Sequence, residues 1–213
     1  VAVPDFWARA KRTLAATDPT MAGIIAGHPR VRLVSRGDGF STLARSIVGQ
    51  QISVKAADSV WARLVERCPQ ITPEALLRRR VSTYRACGIS ERKAEYLRDL
   101  ARHFALGHVQ LPELARQPDE AVIESLTDIR GIGRWTAEMF LIFNLLRPDV
   151  FPVDDLGLLK AIGRHYLDGE PSAGLLRGAG RQKVVQLGAA WAPYRSVATW
   201  YLWRSLDPVP VEY

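Results

Sequence analysis

The chain has 213 residues, and its 29 lysines and arginines against 22 acidic residues leave a net charge of +7. That length suits one large domain or two small lobes with a sizeable core, and the excess positive charge favours a polyanionic partner, most simply nucleic acid. Composition also excludes several classes: the two cysteines, Cys68 and Cys87, cannot ligate a four-cysteine iron–sulfur cluster, the four histidines form no metal motif, and no apolar run reaches membrane-spanning length.

Nearly every segment has helical period. Asp5 to Ala16 carries Phe6, Trp7, Ala10 and Leu14 on one face, and Asp18-Pro19 reads as the capped start of a second helix. Residues 29–39 read as a connection, partly extended at Val31 to Val34. Phe40, Leu43, Ala44, Ile47 and Val48 then follow the spacing of a buried stripe, which Gly49-Gln50-Gln51-Ile52 interrupts. Ser53 reads as the N-cap of a helix carrying Val60, Trp61 and Leu64, with Trp61 expected in the core. Thr72-Pro73 starts a short helix, Val81 to Cys87 forms another closed by Gly88, and Ser90 caps a longer one with Ala94, Leu97, Ala101 and Phe104 on one face.

Pro118 to Leu126 leads into the stretch around which the chain is organised, Leu126-Thr127-Asp128-Ile129-Arg130-Gly131-Ile132-Gly133-Arg134-Trp135-Thr136-Ala137. It reads as a helix, a two-glycine hairpin and a second helix start. The second segment is apolar from Met139 to Leu146 except at Asn144, the mark of a buried helix. Glycines let an anion approach the backbone, and the first N–H groups of the next helix have no intrahelical partner. Arg147-Pro148 stops that helix. Asp154-Asp155 open the next, to about Leu167, and the last two run from Arg181 to Trp191 and from Tyr194 to Ser205, with Trp191 in the core. The class is all-α with many short helices and no internal repeat.

Asp155 lies 22 positions after Gly133, beyond the buried helix. Aspartates at a helix start are ordinarily caps, so the pair alone does not mark a site. Its combination with the hairpin does. The segments Ser46 to Ser53, Arg130 to Ala137, Phe151 to Leu158, and Pro193 to Ser196 with Trp203 resemble, in order and over most of the chain, the helix-hairpin-helix DNA glycosylase superfamily, specifically its 3-methyladenine DNA glycosylase II group.

The resemblance implies a two-lobed fold with the active cleft between the lobes. Residues 40–147 would form the central lobe, and residues 1–39 with 148–213 the second. The extra N-terminal α/β domain of larger members is expected to be absent. It implies a monofunctional enzyme that flips out alkylated bases, 3-methyladenine and related alkylpurines, and hydrolyses the N-glycosidic bond. Asp155 would be the catalytic carboxylate and Asp154 a cap. Trp135, Trp203, Met139 and Leu156 would line the base pocket. Gly131, Gly133 and Thr136 would hold the DNA backbone, and Gln51 would fill the gap left by the flipped base. The carbonyls of Thr127, Ile129 and Gly131 would bind a structural Na+ or K+, with no catalytic cofactor and no iron–sulfur cluster. In lyase members of the superfamily a lysine stands at the position of Trp135, and an indole cannot form a Schiff base.

Met139 and Leu156 replace tyrosines of the family pattern, which implies a roomier pocket that accepts several lesions. The expected partner is DNA containing alkylated bases, for a monomer acting inside the cell, in the cytoplasm, with no membrane association and no signal peptide. Competing readings are a non-catalytic hairpin module that binds DNA, a member of the superfamily acting on another lesion, and a helical protein-interaction domain.

Overall fold

In a computed structural model the described residues, 3–206, form fourteen helices and no strand. They divide into two compact units, one of residues 3–35 and 141–206 and the other of residues 36–140. The sequence placed these boundaries near 40 and 147. Residues 1–2 and 207–213 of the expected second lobe lie outside the described residues. No helix among the described residues is long and apolar enough to cross a membrane.

The unit of residues 36–140 begins with α3 (Gly39–Gly49), α4 (Val54–Arg67), α5 (Pro73–Leu77), α6 (Val81–Ala86) and α7 (Glu91–Ala105). It continues through α8 (Leu111–Leu114) and α9 (Asp119–Thr127) into α10 (Arg134–Phe143), within which the division falls. Side-chain caps start several of these helices. Ser53 accepts from Ala56 N–H, Thr72 from Ala75, Ser90 from Lys93 and, unforeseen in the sequence, Asp38 from Ser41. The core is built on α7, whose Ala94, Leu97, Leu100 and Ala101 are fully buried. Phe104 extends that stripe by packing edge-on against Phe40 at 5.1 Å between ring centroids. Trp61 is half-buried rather than in the core, because α4 presents only Val60 and Leu64 fully inward.

The other unit contains α1 (Trp7–Thr17), α2 (Pro19–Gly27), α11 (Leu156–Tyr166), α12 (Ser172–Leu175), α13 (Gly178–Ala190) and α14 (Arg195–Leu206). Asp18 joins three of them. Its Oδ1 caps α2 at Met21 N–H, while Oδ2 accepts from the Tyr166 hydroxyl at 2.7 Å and from Trp191 Nε1 at 2.9 Å. Trp191 is buried as expected. Residues 31–34 take no strand; they run as an irregular connection.

The helix expected to reach Leu146 ends at Phe143. Leu146 takes a left-handed φ of 53°, and Arg147 N–H reaches back to Leu141 C=O at 2.9 Å. That bond satisfies a carbonyl that the helix end would otherwise leave open.

Candidate functional site

In the unit of residues 36–140 the hairpin links α9 to α10. Ile129 and Ile132 are buried and pin the turn to the core, with Ile132 N–H bonded to Ile129 C=O at 3.0 Å. Gly131 has φ +88°, and a Cβ there would stand 2.2 Å from Tyr96 Cδ2. Both the left-handed conformation and the ring beneath it require glycine. Gly133 differs: it is exposed, and a Cβ would meet nothing within 4 Å. The open space on this second glycine lies at the start of α10, where backbone N–H groups and the helix dipole favour an anion.

Both arginines of the turn are engaged by carboxylates. Arg134 makes a bidentate pair with Glu120 at 2.9 and 2.6 Å and reaches the buried Glu138 at 3.1 Å. The Arg134 guanidinium holds the Glu120 carboxyl below its usual range. Arg130 pairs with Glu95 at 3.3 Å, and its backbone N–H donates to Asp99 at 2.9 Å.

The loop between α3 and α4 lies beside the hairpin. Gln50 Nε2 donates to Gly131 C=O at 2.8 Å. Lys93 Nζ donates to the carbonyls of Val48 and Gln50 at 2.7 and 2.6 Å. Gln51 is exposed and holds a left-handed φ of 59°, a conformation that costs a non-glycine residue roughly 1–2 kcal/mol. Gln50, Gln51 and Ile52 form a ridge shared by two cavities. One, of about 320 Å³, is closed by Trp135, Val54 and Ala57, and the other, of about 310 Å³, by Tyr96, Arg92 and Ile89.

Trp135 is half-buried and also lines a third cavity with Thr136 and Met139, of only about 20 Å³. That space admits a single water, whereas the cavity beside Gln51 reaches the lower end of the range typical of small-ligand sites. Met139 is buried, at 7 % exposure, and so is Thr136, at 6 %. Thr136 thus lies inside, whereas Gly133 is exposed on the turn.

The three carbonyls expected to hold a cation are not equivalent. Ile129 C=O already accepts Ile132 N–H, and Gly131 C=O accepts the Gln50 amide. Each of these two carbonyls accepts one hydrogen bond and keeps a second lone pair.

In the unit of residues 3–35 and 141–206, Asp155 is the N-cap of α11. Its Oδ1 accepts from Leu158 N–H at 2.6 Å and from Trp203 Nε1 at 2.7 Å. The expected cap was Asp154. That assignment is corrected here: Asp154 is exposed and pairs with Arg181, which also donates to Val153 C=O at 3.2 Å. Trp203 is stacked on Phe143 at 5.8 Å and meets Trp200 edge-on at 6.3 Å.

Gly157 lets the indole approach, since a Cβ there would lie 3.2 Å from Asp155 Oδ1 and 3.3 Å from Trp203 Cδ1. Leu156, between them in sequence, is 61 % exposed. The segment before Asp155 is stapled to the start of α14. Arg195 grips Asp149 at 2.7 and 2.8 Å, Ser196 Oγ accepts Val150 N–H at 2.8 Å, and Ser196 N–H reaches Pro148 C=O at 3.0 Å. This explains physically why Tyr194-Arg195-Ser196 belongs with Asp155 and Trp203.

Sequence reasoning missed Gln50, Lys93, Tyr96, Asp99 and Gly157. Three of them carry a readable signal: Lys93, Tyr96 and Asp99 recur at i, i+3 and i+6, a second stripe of α7 beside its apolar one.

The unit of residues 36–140 thus carries a hairpin whose helix start is exposed and an adjacent ridge, and the other unit carries a carboxylate held at a helix cap by an indole. Residues 44–184 match the HhH-GPD superfamily of base excision DNA repair proteins. The chain belongs to that superfamily. Within it, DNA-3-methyladenine glycosylase 1 of Schizosaccharomyces pombe is 36 % identical over 186 residues, covering 85 % of this chain and 78 % of the relative.

The crystal structure of a DNA-3-methyladenine glycosidase from Bacillus halodurans superposes with a TM-score of 0.82 at 34 % identity, covering 97 % of this chain and 93 % of that one. The S. pombe 3-methyladenine DNA glycosylase Mag1, in complex with abasic DNA, superposes with a TM-score of 0.74 at 31 % identity, covering 96 % and 98 %. Against several other curated relatives the chain spans about two thirds of their length.

Proposed function

We propose that this chain is a monofunctional DNA glycosylase that flips out alkylated bases, 3-methyladenine and related alkylpurines, and hydrolyses their N-glycosidic bond. The observation that carries the reading is Asp155, a carboxylate oriented by both a helix start and the Trp203 indole, in a chain that also carries the open glycine turn. Simple DNA binding requires the turn and has no need of the carboxylate. The relatives named for 3-methyladenine excision supply the substrate class.

In this reading the start of α10 at Gly133 takes a backbone phosphate, and Gln51 fills the gap in the stack. Trp135 offers an indole face to the flat, cationic base. An alkylated purine is already a good leaving group, so little acid catalysis is needed. Positive charge grows on the sugar as the bond to the base breaks. Asp155 stabilises that charge and takes a proton from the water that adds at C1′, and the base departs with the bonding electrons.

Absence of strand cleavage follows from Trp135, which has no amine to attack the sugar. Met139, with its flexible thioether, and the exposed Leu156 support breadth among 3-methyl and 7-methyl purines. DNA is the partner, for a monomer acting on it inside the cell.

The test is release of free bases from methylated duplex DNA, with borohydride present in a parallel reaction. Release of methylated purines, an intact abasic strand and no covalent adduct are expected. Binding without release would make the chain a non-catalytic module, and a trapped adduct with strand cleavage would reject the monofunctional mechanism.

A further inference from the structure

One face of α7 serves both DNA-facing features of its unit. Lys93, Tyr96 and Asp99 follow one another at i, i+3 and i+6, and each holds a different piece of backbone. Lys93 Nζ binds the carbonyls of Val48 and Gln50 at 2.7 and 2.6 Å, where α3 ends and the ridge begins. Tyr96 lies under Gly131, and Asp99 accepts the N–H of Arg130 at 2.9 Å. Gln50 closes the ring by donating its side-chain amide to Gly131 C=O at 2.8 Å.

Lysine at this place is otherwise unfavourable. It stands in the first turn of α7, at the positive end of that helix, and burial with the neighbouring Arg92 pulls its ammonium below the usual lysine range. What it gains is the negative, C-terminal end of α3. Gln51, directly beyond, stands in a left-handed conformation that is costly for a non-glycine residue.

We infer that Lys93 is a positioning residue for the ridge: it holds Gln51 in register with the glycine turn, so that strand grip and gap filling act as one rigid body. This rests on the proposed role of Gln51 in a glycosylase. The lysine would touch neither DNA nor base; its effect is to lower the cost of presenting Gln51 when a base leaves the stack.

The experiment compares the parent, Lys93→Met and Lys93→Arg. It reads amide hydrogen exchange across residues 49–53 of the free protein, and the ratio of affinities for duplexes with and without an abasic site. For Lys93→Met, exchange in the loop should rise about tenfold with no change in α1 or α14. Preference for the abasic duplex should fall about tenfold, while affinity for the intact duplex stays within about twofold. Lys93→Arg should recover part of both. Adding Gln51→Ala to Lys93→Met should lower the preference no further, because the two act through one element.

Lys93→Gln, which keeps a polar side chain but is too short and uncharged to hold both carbonyls, carries the same two expectations should Lys93→Met fail to fold. Unchanged loop exchange, or a loosened loop with undiminished preference, overturns the inference. If the parent itself shows no preference for abasic DNA, the proposed function falls instead, and the loop exchange still decides whether Lys93 holds the ridge.

Discussion

The indole Nε1–H of Trp203 donates to Asp155 Oδ1 at 2.7 Å, on the same oxygen that caps α11. The tryptophan expected as a wall of the base pocket is therefore also a clamp on the carboxylate. Two donors on one oxygen fix the plane of the carboxyl group, and its other oxygen is oriented as a consequence.

Trp203→Phe keeps a ring against Phe143 and removes the donor. A hydrogen bond to a charged group contributes about 1.5–3 kcal/mol, so kcat for base release should fall about ten- to a hundredfold. Affinity for abasic DNA should hardly change. Single-turnover release and equilibrium binding together check this; a loss confined to binding would make Trp203 a pocket wall alone.

Asp155→Asn retains a residue able to cap α11 and loses the negative charge. Excision should drop at least about a hundredfold with damaged-DNA binding largely intact. Asp154→Asn removes only an exposed pair with Arg181 and should excise at the parent rate. Reversed outcomes would move the catalytic role by one residue.

The two hairpin glycines should separate cleanly. Gly131→Ala forces an L residue to φ +88° and puts its Cβ 2.2 Å from Tyr96, which should cost about 2–4 kcal/mol in urea unfolding. Gly133→Ala meets open space and should leave stability within about 0.5 kcal/mol. Its cost should appear in affinity for undamaged duplex, with a shallower dependence on salt as a phosphate contact is lost.

Burial pushes the phenols of Tyr84 and Tyr201 up to about 12 each. In the unfolded chain they ionise near 10. Between about pH 10 and 12 the folded state therefore binds more protons than the unfolded one, and stability falls as pH rises, by up to about 1.4 kcal/mol per pH unit for each tyrosine. At pH 8 the two should respond oppositely to removal of the hydroxyl. Tyr84 donates to Leu76 C=O at 2.7 Å, so Tyr84→Phe should cost about 1 kcal/mol. The Tyr201 hydroxyl has no partner among the described residues, so Tyr201→Phe should stabilise by about 1 kcal/mol and flatten the alkaline slope. Urea unfolding across pH 8–12 reads all three.

Much of this protein is local and was legible in the chain. Ser53, Thr72 and Ser90 announce helix starts because a cap is a contact within three residues. The apolar stripe of α7 announces burial because its period is that of the helix itself. The turn at Gly131 is written in the residue type, since few other residues adopt its φ. Residue order alone carried the family, through segments far apart in the chain.

Tertiary structure decided which neighbour does what. Asp154 and Asp155 are indistinguishable as letters; Arg181 from α13 takes one and Trp203 from α14 the other. The two glycines look alike until Tyr96 is placed under the first and nothing under the second. Lys93 reads as one more charge on a polar face until α3 ends against it. In each case the deciding partner is more than twenty residues away, and no local propensity encodes a contact that only the folded chain brings within hydrogen-bond reach.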